Sequence, residues 1–178
     1  MPEVVCEMRP INVKSSLQLK INGLILEGLD EQHLASTLEW RNSDQVRKWF
    51  KSTDLISWDQ HKSWYEKYRI NGNDIHFVAR HVSSNFLAGQ VAIYDIDRET
   101  RSAQIGRISA NPAYQGRGHI RSACQVILEF GFTVLDLQRI YLEVFVTNDR
   151  AVALYSSLGF EVVPSVDQLL RMQLIKPT

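Results

Sequence analysis

The spacing of apolar positions along the chain predicts alternating strands and helices. Alternating or β-branched runs predict strands at 24–29, 75–81, 85–96, 98–110 and 139–146. Apolar residues three or four apart predict helices in the segments EQHLASTLEW, WDQHKSWYEKYR, HIRSACQVILEFGF and DRAVALYSSL. Two last runs, FEVV and QLLRMQLI, predict closing strands. The order β–α–α–β–β–β–α–β–α–β–β indicates an α/β domain built on a mixed sheet.

Capping residues mark several of the predicted helix ends. Asp30 precedes the first helix, and Ser57 with Gln60 matches a capping box. Asn148 precedes the last helix, which stops at Gly159. Residues 1–20 show no strong periodicity, so we expect a loose N-terminal arm there and a single domain over 21–178.

Composition narrows the classes of protein. Twenty Lys and Arg balance twenty Asp and Glu, which argues against a nucleic-acid partner and, more weakly, against a polycationic substrate. Cys6 and Cys124 are far apart, so we expect neither a disulfide framework nor a metal site. No run reaches the roughly 18 apolar residues of a membrane span, and the N-terminus is not a signal peptide. We expect a cytoplasmic protein without a membrane partner.

A glycine-rich turn joins the strand SAQIGRISA to the next helix. Gly116 and Gly118 let backbone N–H groups converge at a helix N-terminus, and Arg117 and Arg121 add positive charge. This combination predicts a phosphate site, although such a turn alone is more often only a turn. It is not a Walker loop, because no Gly-Lys-Ser/Thr follows, and it lacks the third glycine of a dinucleotide fingerprint.

A second motif changes the interpretation of the turn. The pattern Asn-x-x-Ala-x-x-Leu-Tyr-x-x-x-Gly-Phe is matched in full by Asn148, Ala151, Leu154, Tyr155, Gly159 and Phe160. Together with the turn, it makes residues 104–162 resemble the GCN5-related N-acetyltransferase (GNAT) family. The resemblance extends, more faintly, over residues 24–175. The turn departs from the family motif only at Ile120, where glycine or alanine is usual.

The resemblance implies a fold and a donor site. The fold is a mixed, mostly antiparallel sheet of about seven strands, with helices on both faces and a gap where the fourth and fifth strands splay apart. The co-substrate is acetyl-CoA, whose pantetheine arm would pair with the backbone of Ile108, Ser109 and Ala110. Its pyrophosphate would lie on Gln115, Gly116, Arg117, Gly118, His119 and Ile120.

The resemblance also implies catalytic roles for particular residues, each of which has a simpler structural explanation. Tyr155 would protonate the departing thiolate, but its position beside Leu154 and Leu158 also suits a core aromatic residue. Asn148 would meet the pantetheine amide, or act only as a helix cap. Relatives often carry a glutamate base where this chain has Gln104, so the base stays open between Glu143, His76, His81 and a chain of water.

The acceptor is expected to be a primary amine on a small molecule. The segments WRNSDQVRKWF and ISWDQHKSW resemble the branch that acetylates ribosomal proteins or nucleotide-linked amino sugars. Residues 41–81 hold eight Lys or Arg against five Asp or Glu, which favours an anionic acceptor. Our first choice is therefore a nucleotide-linked amino sugar. The alternatives are a protein N-terminus, a polyamine, or a non-catalytic module that binds acetyl-CoA.

Two further features stay open at this point. The stripe His61, Trp64, Tyr65 and Tyr68 can stack on a base or sugar, although core packing is its commoner fate. A homodimer is compatible with the resemblance, but no residue pattern requires one.

Overall fold

A single mixed sheet forms the centre of the fold. The computed structural model describes residues 4–5, 14–164 and 169–177. Its strands over these ranges are β1 (Val4–Val5), β2 (Gln18–Ile21), β3 (Leu24–Gly28), β4 (Asp74–His81), β5 (Leu87–Asp97), β6 (Ser102–Ala110), β7 (Arg139–Phe145), β8 (Glu161–Val163) and β9 (Leu169–Ile175). Their order in the sheet is β1-β2-β3-β4-β5-β6-β7-β9-β8. All neighbours are antiparallel except β6 and β7, which confirms the mostly antiparallel arrangement.

The described residues form five α-helices between these strands. They are α1 (Leu34–Asn42), α2 (Asp44–Arg47), α3 (Trp58–Ile70), α4 (His119–Thr133) and α5 (Asp149–Ser157). The predicted caps are confirmed: Asp30 begins a 3₁₀ turn before α1, Ser57 and Gln60 form the capping box of α3, and Asn148 caps α5. Within the described ranges, no helix has both the length and the apolar character to cross a membrane.

Helices cover both faces of the sheet, as predicted. Phe77 and Ala79 on β4 belong to a large core, into which α4 inserts Cys124 and Ile127. The intervening Val78 belongs to a second core, because successive side chains of a strand point to opposite faces. That second core contains Leu29, Leu34, Trp40, Tyr65 and Tyr68.

The aromatic stripe of α3 takes part in this second core. Tyr65 and Tyr68 are only 1% and 3% exposed, and His61 is also buried. Trp64 stacks on His61 and Tyr68 and packs against the same core. Core packing is therefore the role of the stripe, and its rings do not line the functional cleft described below.

The N-terminal region corrects two predictions. Two short strands precede the run at 24–29, so the sheet has nine described strands rather than about seven. Residues 18–20 are not part of a loose arm, because β2 pairs with β3 and Leu19 is 1% exposed in the large core. The two strands meet in a tight turn at Asn22 and Gly23, both with positive φ. Residues 1–3 and 6–13 lie outside the described residues.

The predicted gap in the sheet lies between β6 and β7. The two strands pair only at their first three positions, and the last pair joins Gln104 to Tyr141. Beyond this pair β6 continues along β5, with a bulge where the register jumps from Gln90 opposite Ser109 to Ala92 opposite Gly106. Arg107 lies in this bulge with φ of 51°.

Candidate active site

A cleft of about 1140 Å³ opens where β6 and β7 diverge. Its walls come from β6, the turn before α4, the start of α5, β7, and the region from α2 to Ser52. The predicted site residues all line it: Ile108, Ser109, Ala110, Gln115, Gly116, Arg117, Gly118, His119, Ile120, Asn148 and Tyr155. Residues predicted from two separate motifs therefore meet around one space.

The glycine turn presents main chain to this space. Gly116 and Gly118 have φ of 79° and 80°, in the left-handed region that favours glycine, and Gly118 is the N-cap of α4. A Cβ added at either position would meet no atom within 4 Å, so the space above the turn is open. The turn therefore has the form of an anion site, with Arg117 and His119 beside it.

Ile120 is accommodated without closing the turn. Its Cδ1 atom lies 2.8 Å from where a Cβ on Gly89 would be, so its side chain packs against β5 and the large core. The departure from the family motif thus changes packing beneath the turn. Burial lowers the pKa of His119, next to it, and the charges of His81 and Arg117 lower it further.

The second half of β6 offers an unpaired backbone edge. Pairing with β7 ends at Gln104, and among the described strands none continues along that side of Ile108, Ser109 and Ala110. An extended amide-bearing chain can add to such an edge as an extra strand. The geometry at these three residues therefore suits a pantetheine arm.

Tyr155 is positioned both as a core aromatic residue and as a residue of the cleft, in agreement with the two roles considered for it from the sequence. Its ring packs on Phe160 in the large core, and the residue is 9% exposed. The ring also lines the cleft, and the hydroxyl has no hydrogen bond to another described residue. Burial raises its pKa, and Cys124 and Tyr94 raise it further, so the phenol keeps its proton at neutral pH. It can act as a proton donor but not as a base.

Asn148 is a helix cap with a free amide group. Its Oδ1 accepts from the backbone N–H of Ala151 at 3.3 Å. Its Nδ2 makes no hydrogen bond to a described residue, and the residue lines the cleft. A cap and a ligand contact are therefore compatible.

Of the three candidate bases, only Glu143 lines the cleft. Gln104, at the position where relatives often carry glutamate, lines it too. His76 is 2% exposed, lies outside the lining, and has its Nε2 atom 2.7 Å from Arg107 Nη1. Burial lowers its pKa. His81 contacts the hydroxyls of Ser83 and Ser84 and also lies outside the lining.

Sequence reasoning missed two cleft residues beside the bulge. Tyr94 places its hydroxyl 2.9 Å from where a Cβ on Gly106 would lie, and burial is the main cause that raises its pKa to about 12. Arg107 stacks over the Tyr94 ring at 4.0 Å and donates to Asp74 Oδ2 at 2.7 Å. A glycine within a strand, as in QIGR, was the available signal for a bulge.

The opposite end of the cleft carries mostly positive charge. Arg41 stacks over Phe50 at 4.1 Å and donates from Nη2 to the Ser52 carbonyl at 2.7 Å. Lys48 lies over the Trp49 ring. Within the described part of the chain, neither Arg41 nor Lys48 pairs with a carboxylate. We refer to this end, lined by Arg41, Lys48, Trp49, Phe50, Lys51 and Glu143, as the acceptor end.

Comparisons with known proteins agree with this geometry. Residues 23–161 match the model of the acetyltransferase (GNAT) domain. The chain belongs to the GNAT family. It is an N-acetyltransferase, and its co-substrate is acetyl-CoA.

Individual relatives are similar over most of the chain. A spermidine N(1)-acetyltransferase of Vibrio cholerae is 31% identical over 137 residues, which are 77% of this chain and 78% of that protein. The spermidine N(1)-acetyltransferase of Escherichia coli is 31% identical over 121 residues, 68% and 63% of the two chains. A crystal structure of the Vibrio cholerae enzyme with CoA and spermine superposes with a TM-score of 0.79 at 27% identity, covering 86% of this chain and 95% of that one.

Proposed function

We propose that the donor lies with its pyrophosphate on the turn at 115–120 and its pantetheine arm along Ile108, Ser109 and Ala110. The observation that supports this is the meeting of an open anion turn and an unpaired strand edge in one cleft. Asn148 would donate from Nδ2 to a pantetheine carbonyl. This arrangement brings the thioester to the gap between β6 and β7, close to Tyr155.

The proposed reaction is a direct acetyl transfer. The neutral acceptor amine attacks the thioester carbonyl, a C–N bond forms, and the C–S bond breaks. Tyr155 gives its proton to the departing sulfur and regains one from solvent, and the proton that the attacking nitrogen loses passes to solvent. A backbone N–H of the bulged β6 stabilises the oxygen that becomes negative. Two observations support this role: Tyr155 lines the cleft, and its hydroxyl makes no hydrogen bond to a described residue.

For the acceptor, the positive charge of the cleft supports a primary amine on an anionic molecule, and a nucleotide-linked amino sugar is our first choice from the sequence. Arg41 and Lys48 at the acceptor end have no carboxylate partner within the described ranges. Such cations attract phosphate or carboxylate groups and repel a polycation. Trp49 and Phe50 add flat apolar surface next to them.

A polyamine is the second candidate, and the comparisons support it more directly than they support a nucleotide-linked sugar. Two of the most similar curated proteins are spermidine acetyltransferases, and a similar crystal structure contains spermine. Asp95 and Glu143 are the carboxylates that line the cleft and could receive an ammonium group. A homodimer is compatible with the family resemblance, and a similar structure of the Vibrio cholerae enzyme is dodecameric, so we also propose that this chain forms an oligomer.

An acceptor panel tests the proposal after a binding step. Acetyl-CoA at a hundredfold excess over its Kd should stabilise the fold by about 2.7 kcal/mol and raise Tm, and NADH should not. Release of free CoA is then measured with a nucleotide-linked amino sugar, a peptide with a free N-terminus, and spermidine. The sugar should give the highest kcat/KM. A higher kcat/KM with spermidine would decide for the polyamine, and binding without turnover would favour a non-catalytic module.

A further inference from the structure

An ion pair joins the two walls of the acceptor end. Lys51 follows α2 and Glu143 lies on β7, and Lys51 Nζ donates to Glu143 Oε2 at 2.8 Å. Both residues line the cleft. A primary ammonium group of the protein itself is thus bound to a carboxylate in the space that the acceptor amine has to enter.

The register of the sheet places this pair at the gap. Gln104 and Tyr141 form the last pair between β6 and β7. Two residues further along the strands lie Gly106, next to the bulge, and Glu143. Glu143 is therefore on the far side of the gap from the backbone along which the thioester is proposed to lie.

Lys51 can leave Glu143 at little cost. The Lys51 side chain is 73% exposed and that of Glu143 26%. Exposed ion pairs contribute at most about 1 kcal/mol, which is about fivefold in an equilibrium constant. The other carboxylate oxygen, Oε1, faces Arg171 at 3.8 Å, so Oε2 alone changes its partner when Lys51 leaves.

We propose that Glu143 binds the ammonium group of the acceptor, which loses one proton to solvent before the neutral amine attacks, and that Lys51 occupies this place until the acceptor arrives. Lys51 is then a competitor built into the site. This inference rests on the proposed acetyl transfer but not on the choice between a sugar and a polyamine, because both carry a primary ammonium group.

The Lys51→Met variant removes the competitor and keeps the length of the side chain. The KM for the amine should fall about two- to fivefold, while kcat and the Kd for acetyl-CoA stay unchanged. The probes are the amino sugar, peptide and spermidine of the panel. Lys67→Met is the matched control, because Lys67 is exposed on α3 and does not line the cleft, and its KM should equal that of the wild type.

A double variant separates competition from a general effect of charge. Glu143→Gln should raise the KM for the amine about tenfold, because the amide oxygen still accepts a hydrogen bond but the negative charge that strengthens it is lost. In the Glu143→Gln background, Lys51→Met should have no further effect on KM. An equal acetyl-CoA-induced rise in Tm in all variants shows that the fold and the donor site are retained.

The possible failures are distinct. Wild-type turnover with an unchanged KM in Lys51→Met overturns this inference alone. The inference is also overturned if Lys51→Met lowers the KM in the Glu143→Gln background, because the variant then acts through overall charge. No turnover with any probe overturns the proposed acetyl transfer, and this inference falls with it.

Discussion

The donor end and the acceptor end of the cleft are built from different parts of the chain. The donor end is largely main chain: the N–H groups around Gly116 and Gly118 and the open edge of β6. The acceptor end is made of side chains from α1, the segment after α2, and β7. In the proposed complex, main chain holds the co-substrate and side chains hold the acceptor. Changes at one end should therefore leave affinity at the other end unaltered.

The largest expected effect lies between the two ends, at Tyr155. Tyr155→Phe should lower kcat about 100-fold, the low end of what a general acid contributes, because a thiolate is a fair leaving group unaided. The Kd for acetyl-CoA and the KM for the amine should change little. The ring still packs on Phe160, and no described hydrogen bond is lost, so Tm should be retained. Rapid-quench measurement of the chemical step is the appropriate assay.

Tyr114→Phe is the matched control for this prediction. Tyr114 also lines the cleft, at the donor end, and its ring stacks on Phe86 at 3.6 Å. Loss of its hydroxyl should leave kcat unchanged. If Tyr155→Phe equals the wild type in a step limited by chemistry, Tyr155 is only a core residue.

At the donor end, Gly118→Val should weaken acetyl-CoA binding about tenfold. Valine avoids a φ of 80°, so the free turn would relax and rotate its N–H groups away from the phosphates. Binding would then have to restore the strained backbone, at a cost of about 1–3 kcal/mol. Calorimetric titration with CoA measures the change, and the KM for the amine should stay the same.

Gly23→Val is a control with the same strain at a distant place. Gly23 has φ of 77° in the turn between β2 and β3, and a Cβ there also meets nothing within 4 Å. Its substitution should lower Tm without changing the Kd for CoA. An equal loss of CoA affinity in both variants would mean that Gly118→Val weakens binding by destabilising the fold and not by changing the turn.

The same contrast explains what the sequence could predict. The turn and the Asn148 motif were found because a positive φ demands glycine and a cap demands a short polar residue, so local backbone geometry leaves a readable pattern. The bulge left a local signal, the glycine within the strand QIGR, but the Arg107 contact with Asp74 could not be found in this way. That contact joins two residues that are 33 positions apart in the sequence, and the sequence around either residue does not indicate it.

The N-terminal error has a different cause. β2 has only four residues, too few to show a period, so the segment was expected to be a loose arm. The pair Asn22–Gly23 between two apolar stretches is, however, a strong hairpin signal. The hairpin therefore leaves a local signal in its turn residues, although its short strand shows no period.

The smallest effect is expected at the acceptor end and tests its chemistry most directly. Lys48 lines the cleft and is exposed, and its ammonium group lies over the Trp49 ring, 5.0 Å from the centroid. Lys48→Met removes one positive charge, worth up to about 1 kcal/mol toward an anionic acceptor. The KM for a nucleotide-linked amino sugar should therefore rise about two- to fivefold, and the Kd for acetyl-CoA should not change.

The sign of this effect discriminates between the acceptors. A polyamine is repelled by Lys48, so its KM should fall in the Lys48→Met variant rather than rise. Either change should shrink when ionic strength is raised from about 0.1 M to 1 M, because the Debye length falls from about 10 Å to 3 Å. Lys62→Met, an exposed change on α3 away from the cleft, should alter neither KM. If Lys48→Met behaves like Lys62→Met with both amines at low salt, the positive charge of the acceptor end does not select the acceptor. The two ends of the cleft would then differ in architecture without differing in their electrostatic preference.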